Sequence, residues 1–410
     1  MKVKALGSLR GDIERARGGG AFGPRESAAA AAIVRAVRRD GDAAVLRVVR
    51  RFDRPDARVR DLVLDSKRIR RSARACPRDT RRALDLAYAR IRAFHERQRP
   101  RESHRRDRHV DLRLAPIPLD RVGALVPRGT AAYPSTALMT GVPSQIAGVP
   151  DLVVASPMPR DGAVDPALAY ALELVDATTL YRAGGAAAVA ALAYGTASLG
   201  RVDKIVGPGN AYAVAAKWLV SAGVGIDALQ GPSELIVVAS GGADADALAL
   251  DLLAQAEHGA GAFAALVSDD ARLLRAIASG LAAHRRTPVF AYRATDVLAA
   301  VRAADEVAPE HVLLAGRAAV ALSAHVRHAG AVFVGARSAV AFGDYVAGTN
   351  HSLPTGGTAR WASALRVDDF LRWTSRVSLR GDLKALARAG AAIAEHEGMR
   401  YHQASMEARA

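Results

Sequence analysis

Leu235-Ile236-Val237-Val238-Ala239 decides the fold. Five apolar residues in a row, three of them β-branched, read as a short strand buried on both faces. A helical run over 244–257 follows, then a second apolar run over 262–267. Working outward, 271–284 reads as helix, 312–314 as strand, 318–326 as helix and 331–334 as strand. Upstream the alternation repeats. Strands are expected at 122–126, 152–155, 179–182 and 204–206, with helices near 136–147, 166–174, 186–193 and 211–222. Strand–helix alternation predicts parallel sheets covered on both faces, with ligand sites at the carboxyl ends of the strands.

Two such series predict an α/β protein with two Rossmann-like parallel-sheet units. Helical stretches at 26–39 and 81–97 form an N-terminal region, and the chain returns to helix after 367. The expected divisions are an N-terminal arm over 1–20, ending at Gly18-Gly19-Gly20, and a discontinuous α/β domain over 21–121 plus 235–365. A second α/β domain covers 122–234, and a small helical tail covers 366–410.

Composition sets outer bounds. A chain of 410 residues exceeds one ordinary core, and its hydrophobic half suffices for globular folding. The single cysteine, Cys76, excludes an internal disulfide framework and fits a reducing cytoplasm. No apolar run is long enough to span a bilayer, and the first residues lack a hydrophobic signal core. The net charge of +16 raises a polyanion-binding alternative. Acidic residues such as Asp53, Asp56, Asp61, Asp79 and Asp107 interleave the arginines, and aromatic residues there are sparse. A solvated basic face is the expectation, and nucleic acid is not an expected partner.

The chemistry gathers in three segments. Gln255-Ala256-Glu257-His258-Gly259 places an amide and an imidazole three apart at a helix end, on one face. Asp344 and His351 sit in a Gly- and Pro-punctuated loop. Hard oxygens with imidazoles suit a catalytic divalent ion, most often zinc. The plainer alternative is a His that complements a helix dipole. Pro309-Glu310-His311 supplies a carboxylate–imidazole pair suited to acid/base work, or simply a polar turn before a strand. Gly207-Pro208-Gly209-Asn210 follows a strand and opens a helix, as a phosphate-facing loop would. It lacks the dinucleotide fingerprint, because Tyr212 stands where the last glycine belongs.

Six blocks in order make the chain resemble the histidinol dehydrogenase family. They are Val126-Pro127 with 129–136, 206–211, Gly231-Pro232-Ser233-Glu234, 255–259, 309–311, and 343–351 with Leu353-Pro354-Thr355. The resemblance implies zinc ligands at Gln255, His258, Asp344 and His402, and catalytic roles for Glu310 and His311. It places Ser135, Ser233, His351, Glu397 and His402 near the substrate, together with Gln255, His258, His311 and Asp344. It implies NAD and Zn2+ as cofactors and two successive oxidations, L-histidinol through L-histidinal to L-histidine. His311 would take the hydroxyl proton and Glu310 would serve the second oxidation. A homodimer is implied, with the tail residues Glu397 and His402 reaching the partner's site. His95, His104, His109, His284, His325, His328 and His396 receive no role and are read as surface or helix residues.

The cofactor region departs from the family pattern. Asn210 persists, but Leu125 stands where the family usually has Tyr, Arg128 where it has Gly, and Ala187 where it has Gln. Each lost hydrogen bond would weaken binding by about 0.5–1.5 kcal/mol. Arg128 could recover part by pairing with a phosphate, or could obstruct close backbone approach. The expected function is a zinc- and NAD-dependent dehydrogenase of a small amino alcohol. The alternatives are a relative acting on another amino alcohol or polyol, a polyanion binder on the same fold, and a catalytically silent metal-bound dimer.

Overall fold

The computed structural model describes residues 3–18, 20–129, 131–259, 261–281 and 289–410. Gly19, Thr130, His284 and the end of the expected 271–284 helix lie outside the described residues. The chain forms two compact units, one of residues 1–98 with 119–370 and one of 99–118 with 371–410.

The first unit is built on two six-stranded sheets. In one, the order is Val3–Ala5, Val289–Arg293, Phe263–Ser268, Glu234–Ala239, His311–Ala315 and Ala331–Val334, all parallel. Leu235 through Val238 are completely buried. Helices on both faces account for the unbroken apolar run. Leu235, Val237 and Ala239 pack with Leu248, Leu252 and Leu274 on one face; Ile236 and Val238 pack with Leu9, Ile13 and Val301 on the other. The expected N-terminal arm is therefore part of this core: Val3–Ala5 pairs with Val289–Arg293, and helix Leu9–Ala16 buries Leu9 and Ile13.

The second sheet runs Val63–Asp65, Thr179–Tyr181, Asp151–Ala155, Arg121–Leu125, Lys204–Val206 and Gly225–Ile226. Its pairs are parallel except that Val63–Asp65 joins antiparallel to Thr179–Tyr181. The sequence reading grouped 21–121 with the 235–365 sheet. In the structure, helices Pro24–Asp40 and Asp42–Phe52 bury Val34, Val37, Val45 and Val49 in one core with Val189 and Leu192 of the second sheet's helix Gly185–Tyr194. Local periodicity identifies a helix and its apolar face, but not which of two sheets that face meets.

The second unit has a three-stranded antiparallel sheet, Leu371–Leu379 beside Val110–Pro118 beside Ser103–Arg106. It continues into helices Lys384–His396 and Arg400–Glu407. The tail is thus strand before helix, because Leu371–Leu379 finds a nine-residue partner some 250 positions earlier in the chain. Among the described residues, no helix is long and apolar enough to cross a membrane.

Candidate active site

The two sheets place functional side chains at opposite kinds of edge. In the second sheet, Arg121–Leu125 has Asp151–Ala155 on one side and Lys204–Val206 on the other. The chain thus reverses direction across the sheet at Arg121–Leu125, the topological switch point where ligands are expected beyond the carboxyl ends. An open cleft of about 620 Å³ lies there, lined by Phe52, Asp53, Arg128, Gly129, 157–161 and Asn210. Gly207 begins the turn that leads to Asn210. Its φ of +95° belongs to the left-handed region, and a Cβ there would stand 2.5 Å from the Leu125 carbonyl oxygen. Asn210 caps helix Ala211–Val220 by accepting from Ala213 N–H at 3.0 Å. Arg128 and Asn210 therefore share the cleft. Leu125 and Ala187 do not line it: Leu125 ends a buried strand, and Ala187 is wholly buried inside helix Gly185–Tyr194.

In the first sheet the reactive groups sit at the amino edge, against the expectation of carboxyl ends. Glu310 and His311 open strand His311–Ala315, and Ser233 directly precedes Glu234–Ala239. The reason is topological. Helix Ala245–Ala256 leaves the carboxyl edge and returns Gln255 and His258 to the amino edge before Phe263–Ser268 begins. A helix C-terminus carries partial negative charge and favours a cation. Helix Val340–Tyr345 follows the same course, and Val340 N–H bonds Asp251 at 3.3 Å. One turn beyond each of those residues come Asp344 and Gln255.

Ser233 Oγ donates to Glu310 at 2.7 Å, and Glu234 N–H donates to the same carboxylate oxygen at 2.9 Å. His311 Nδ1 lies 3.1 Å from the Glu234 carbonyl and 3.4 Å from Glu310. Facing two acceptors, Nδ1 carries the proton in the neutral ring, which leaves Nε2 free to accept. Glu310 and His311 are 7 % and 4 % exposed. Burial disfavours both charges, but the Glu310 carboxylate, with Asp344 farther off, raises the His311 pKa. Burial likewise opposes the Glu310 carboxylate, yet His311, Ser233 and the Glu234 amide hold its pKa below the usual range. The pair is therefore a carboxylate beside an imidazole that keeps its proton tightly.

Gln255 is 3 % exposed. Its Oε1 receives Ser233 Oγ at 3.4 Å, while its Nε2 is buried with no partner among the described residues. A buried amide with one open end is costly unless something fills it. Rotating the amide by half a turn turns a carbonyl oxygen toward that open side, as an oxygen ligand to a cation requires. An oxygen placed there is a donor of the kind a divalent ion such as zinc accepts. Among the described residues, no three His, Cys, Asp or Glu side chains cluster as a metal site. Of the expected ligands, His258 and Asp344 belong to the first unit, Gln255 is an amide, and His402 belongs to the second unit.

His351 Nδ1 bonds the Asp344 carbonyl at 3.0 Å, and burial lowers its pKa against the pull of Asp344. Asn350 fixes this turn by donating to Met139 O at 2.7 Å and accepting from Ser352 N–H at 2.9 Å. His95, left without a role, is wholly buried in helix Arg78–Glu96 and lies 3.4 Å from the same Asn350 amide. Ser135 is half-buried in the first turn of helix Pro134–Ala147. Glu397 and His402 are exposed on the second unit.

Sequence reasoning gave Glu234 and Arg17 no role. Glu234 is buried; its carboxylate takes two bonds from Arg17, at 2.8 and 2.7 Å, and one from Gly356 N–H at 2.9 Å. This fixes the carbonyl and amide that orient His311 and Glu310. The acidic residue inside Gly-Pro-Ser-Glu was the available signal. Arg17 had none, because its partner lies more than 200 residues away.

Comparison with known proteins identifies the family. The family profile described as histidinol dehydrogenase matches residues 24–410. The chain belongs to the histidinol dehydrogenase family. It is 43 % identical to histidinol dehydrogenase of Bradyrhizobium diazoefficiens over 93 % of this chain and 92 % of that protein. The corresponding protein of Cereibacter sphaeroides is 42 % identical over 94 % of this chain and 92 % of its own length. The crystal structure of histidinol dehydrogenase from Elizabethkingia anophelis superposes with a TM-score of 0.85 at 28 % identity, covering 93 % of this chain and 91 % of that one. The family's α/β fold and its oxidoreductase character apply to this chain.

Proposed function

We propose that this protein oxidises L-histidinol through L-histidinal to L-histidine in the cytoplasm, delivering two hydrides to two nicotinamide dinucleotides. The carrying observation is the buried Glu310–His311 pair, braced by Ser233 beside a half-unpartnered Gln255. Gln255, His258, Asp344 and His402 would hold zinc. Zinc would supply Lewis-acid polarisation of the substrate's polar groups and fix their position.

The chain's own residues move the protons. His311, held through Nδ1 by the Glu234 carbonyl, presents Nε2 to the alcohol and takes the hydroxyl proton as hydride departs from the same carbon. The ring does so in its neutral form, with its one proton on Nδ1; the extra proton it retains leaves from Nε2 to solvent, so Glu310 stays a carboxylate for the second oxidation. In the second oxidation Glu310 withdraws a proton from the water that adds to the aldehyde carbon. Ser233 keeps Glu310 oriented, and Ser135 and His351 would position the substrate. Glu397 and His402 would complete the site across a homodimer, Glu397 pairing with the cationic amine.

Zinc-loaded protein mixed with L-histidinol and NAD should produce about two NADH per histidine formed, as the two-step stoichiometry requires. Turnover of another amino alcohol without turnover of histidinol would replace this reading.

A further inference from the structure

The cleft at the switch point holds one feature that the reaction chemistry does not use. Arg128 is half-buried among the lining residues, and among the described residues its guanidinium makes no hydrogen bond or ion pair. Its backbone is fixed by the bridge to Ala132 and by Gly129 N–H donating to Ala131 O at 3.2 Å. The side chain is thus anchored at its base with five donors unspent at its tip. Across the cleft stands Asp53, which feels the Arg128 charge. Burial raises the Asp53 pKa to about 6, and a backbone bond from Met158 and the guanidinium only partly oppose that rise. Among the described residues Asp53 forms no ion pair or hydrogen bond with Arg128. Arg160 adds a second positive charge at the rim, and Asp161 a second negative one. Asn210 joins the same lining at the amino end of a ten-residue helix.

An anchored guanidinium with free donors, beside a helix start in an open polar cleft, matches an oxyanion whose two oxygens can accept parallel bonds. We propose that Arg128 is the phosphate-recognition residue of this cleft and sets dinucleotide affinity by pairing with a phosphate of the cofactor. The inference rests on the reading of the chain as a dinucleotide-dependent dehydrogenase. It adds that the grip on the cofactor is ionic at residue 128. The phosphate is either in the diphosphate bridge or on the adenosine ribose, and the two are separable by experiment.

The test is a titration of the full-length zinc-loaded protein with NAD and with NADP, at low and high salt, for the native chain, Arg128→Gln and Arg128→Lys. Arg128→Gln should weaken binding by about tenfold or more and flatten its salt dependence, while Arg128→Lys should retain part of both. An equal loss for NAD and NADP assigns the diphosphate bridge, and a loss confined to NADP assigns the ribose phosphate; both support the proposal. Unchanged or tighter binding by Arg128→Gln, an unaltered salt dependence, or no dinucleotide binding by the native chain would overturn it. Arg128-dependent dinucleotide binding without histidinol turnover would overturn the proposed substrate and leave this inference standing.

Discussion

Lys217 and Asp227 grip both sides of one glycine. Lys217 Nζ, fully buried, donates to the Gly207 carbonyl at 3.1 Å and pairs with Asp227, whose other oxygen accepts from Gly207 N–H at 2.7 Å. Gln230 closes the group, receiving Lys217 at 3.2 Å and donating to Asp227 at 3.0 Å. Gln230 lies three residues before Ser233. The turn that leads to Asn210 in the cleft and the segment that orients Glu310 are thus tied to one buried ionic cluster.

Removing one partner leaves the other charged, buried and unpaired. Lys217→Met should cost about 3–5 kcal/mol of stability, read as a lower midpoint in urea unfolding. Replacing both, Lys217→Met with Asp227→Leu, should recover much of that loss. A double variant less stable than either single one would mean that the cluster contributes more than its charge pairing.

Ser233→Ala removes the hydroxyl that holds Glu310 at 2.7 Å. The buried carboxylate then loses one of its donors, a penalty of about 1–3 kcal/mol. Because Ser233 orients the acid/base pair, kcat should fall about tenfold to hundredfold with little change in cofactor affinity. Steady-state kinetics with each reactant varied would check this. An unchanged kcat would remove Ser233 from the positioning of Glu310.

Zinc retention should depend on residues from two segments. His258→Ala, Asp344→Asn and Gln255→Leu should each release zinc about tenfold to hundredfold more readily to a chromogenic chelator. Gln255→Leu is the informative case, since it also removes the unpartnered amide nitrogen and should not destabilise the metal-free fold. Equal zinc retention by all three variants would place the metal elsewhere.

Acid stability should depend on Asp12. Lys4 bonds its carboxylate at 2.7 Å; Tyr292, at 2.9 Å, and Arg15 add to this, holding the pKa at about 2 although burial opposes it. The folded pKa lies below the ordinary 3.8. The unfolded chain therefore binds the proton more readily, and acid favours unfolding. The contribution is complete above about pH 4 and disappears as pH falls through about 2. Thermal melts of the native chain and Asp12→Asn should differ most near neutral pH and converge on acidification. A constant gap would show that the carboxylate's charge does not matter.

The sequence by itself determined the elements and the chemistry they carry. Buried strands such as Glu234–Ala239 show as unbroken apolar runs because both faces are covered, and Ala-rich stretches such as Gly185–Tyr194 show as helices. Motif order singled out Glu310, His311, Gln255, His258 and Asp344 as candidates, because each lies in a short block of polar residues beside Gly or Pro or at a helix end. Only the tertiary structure decided which sheet the N-terminal helices cover and that Leu371–Leu379 is a strand, since both depend on partners far along the chain. It also decided that Ser233, Glu310 and His311 meet at the amino edge, that Arg17 steadies Glu234, and that Arg128 faces an open cleft while Ala187 is sealed inside a helix. Local periodicity reports which face of an element is apolar. It does not report the contacts that loop closure and sheet order bring together, and those contacts place each polar group where it can act.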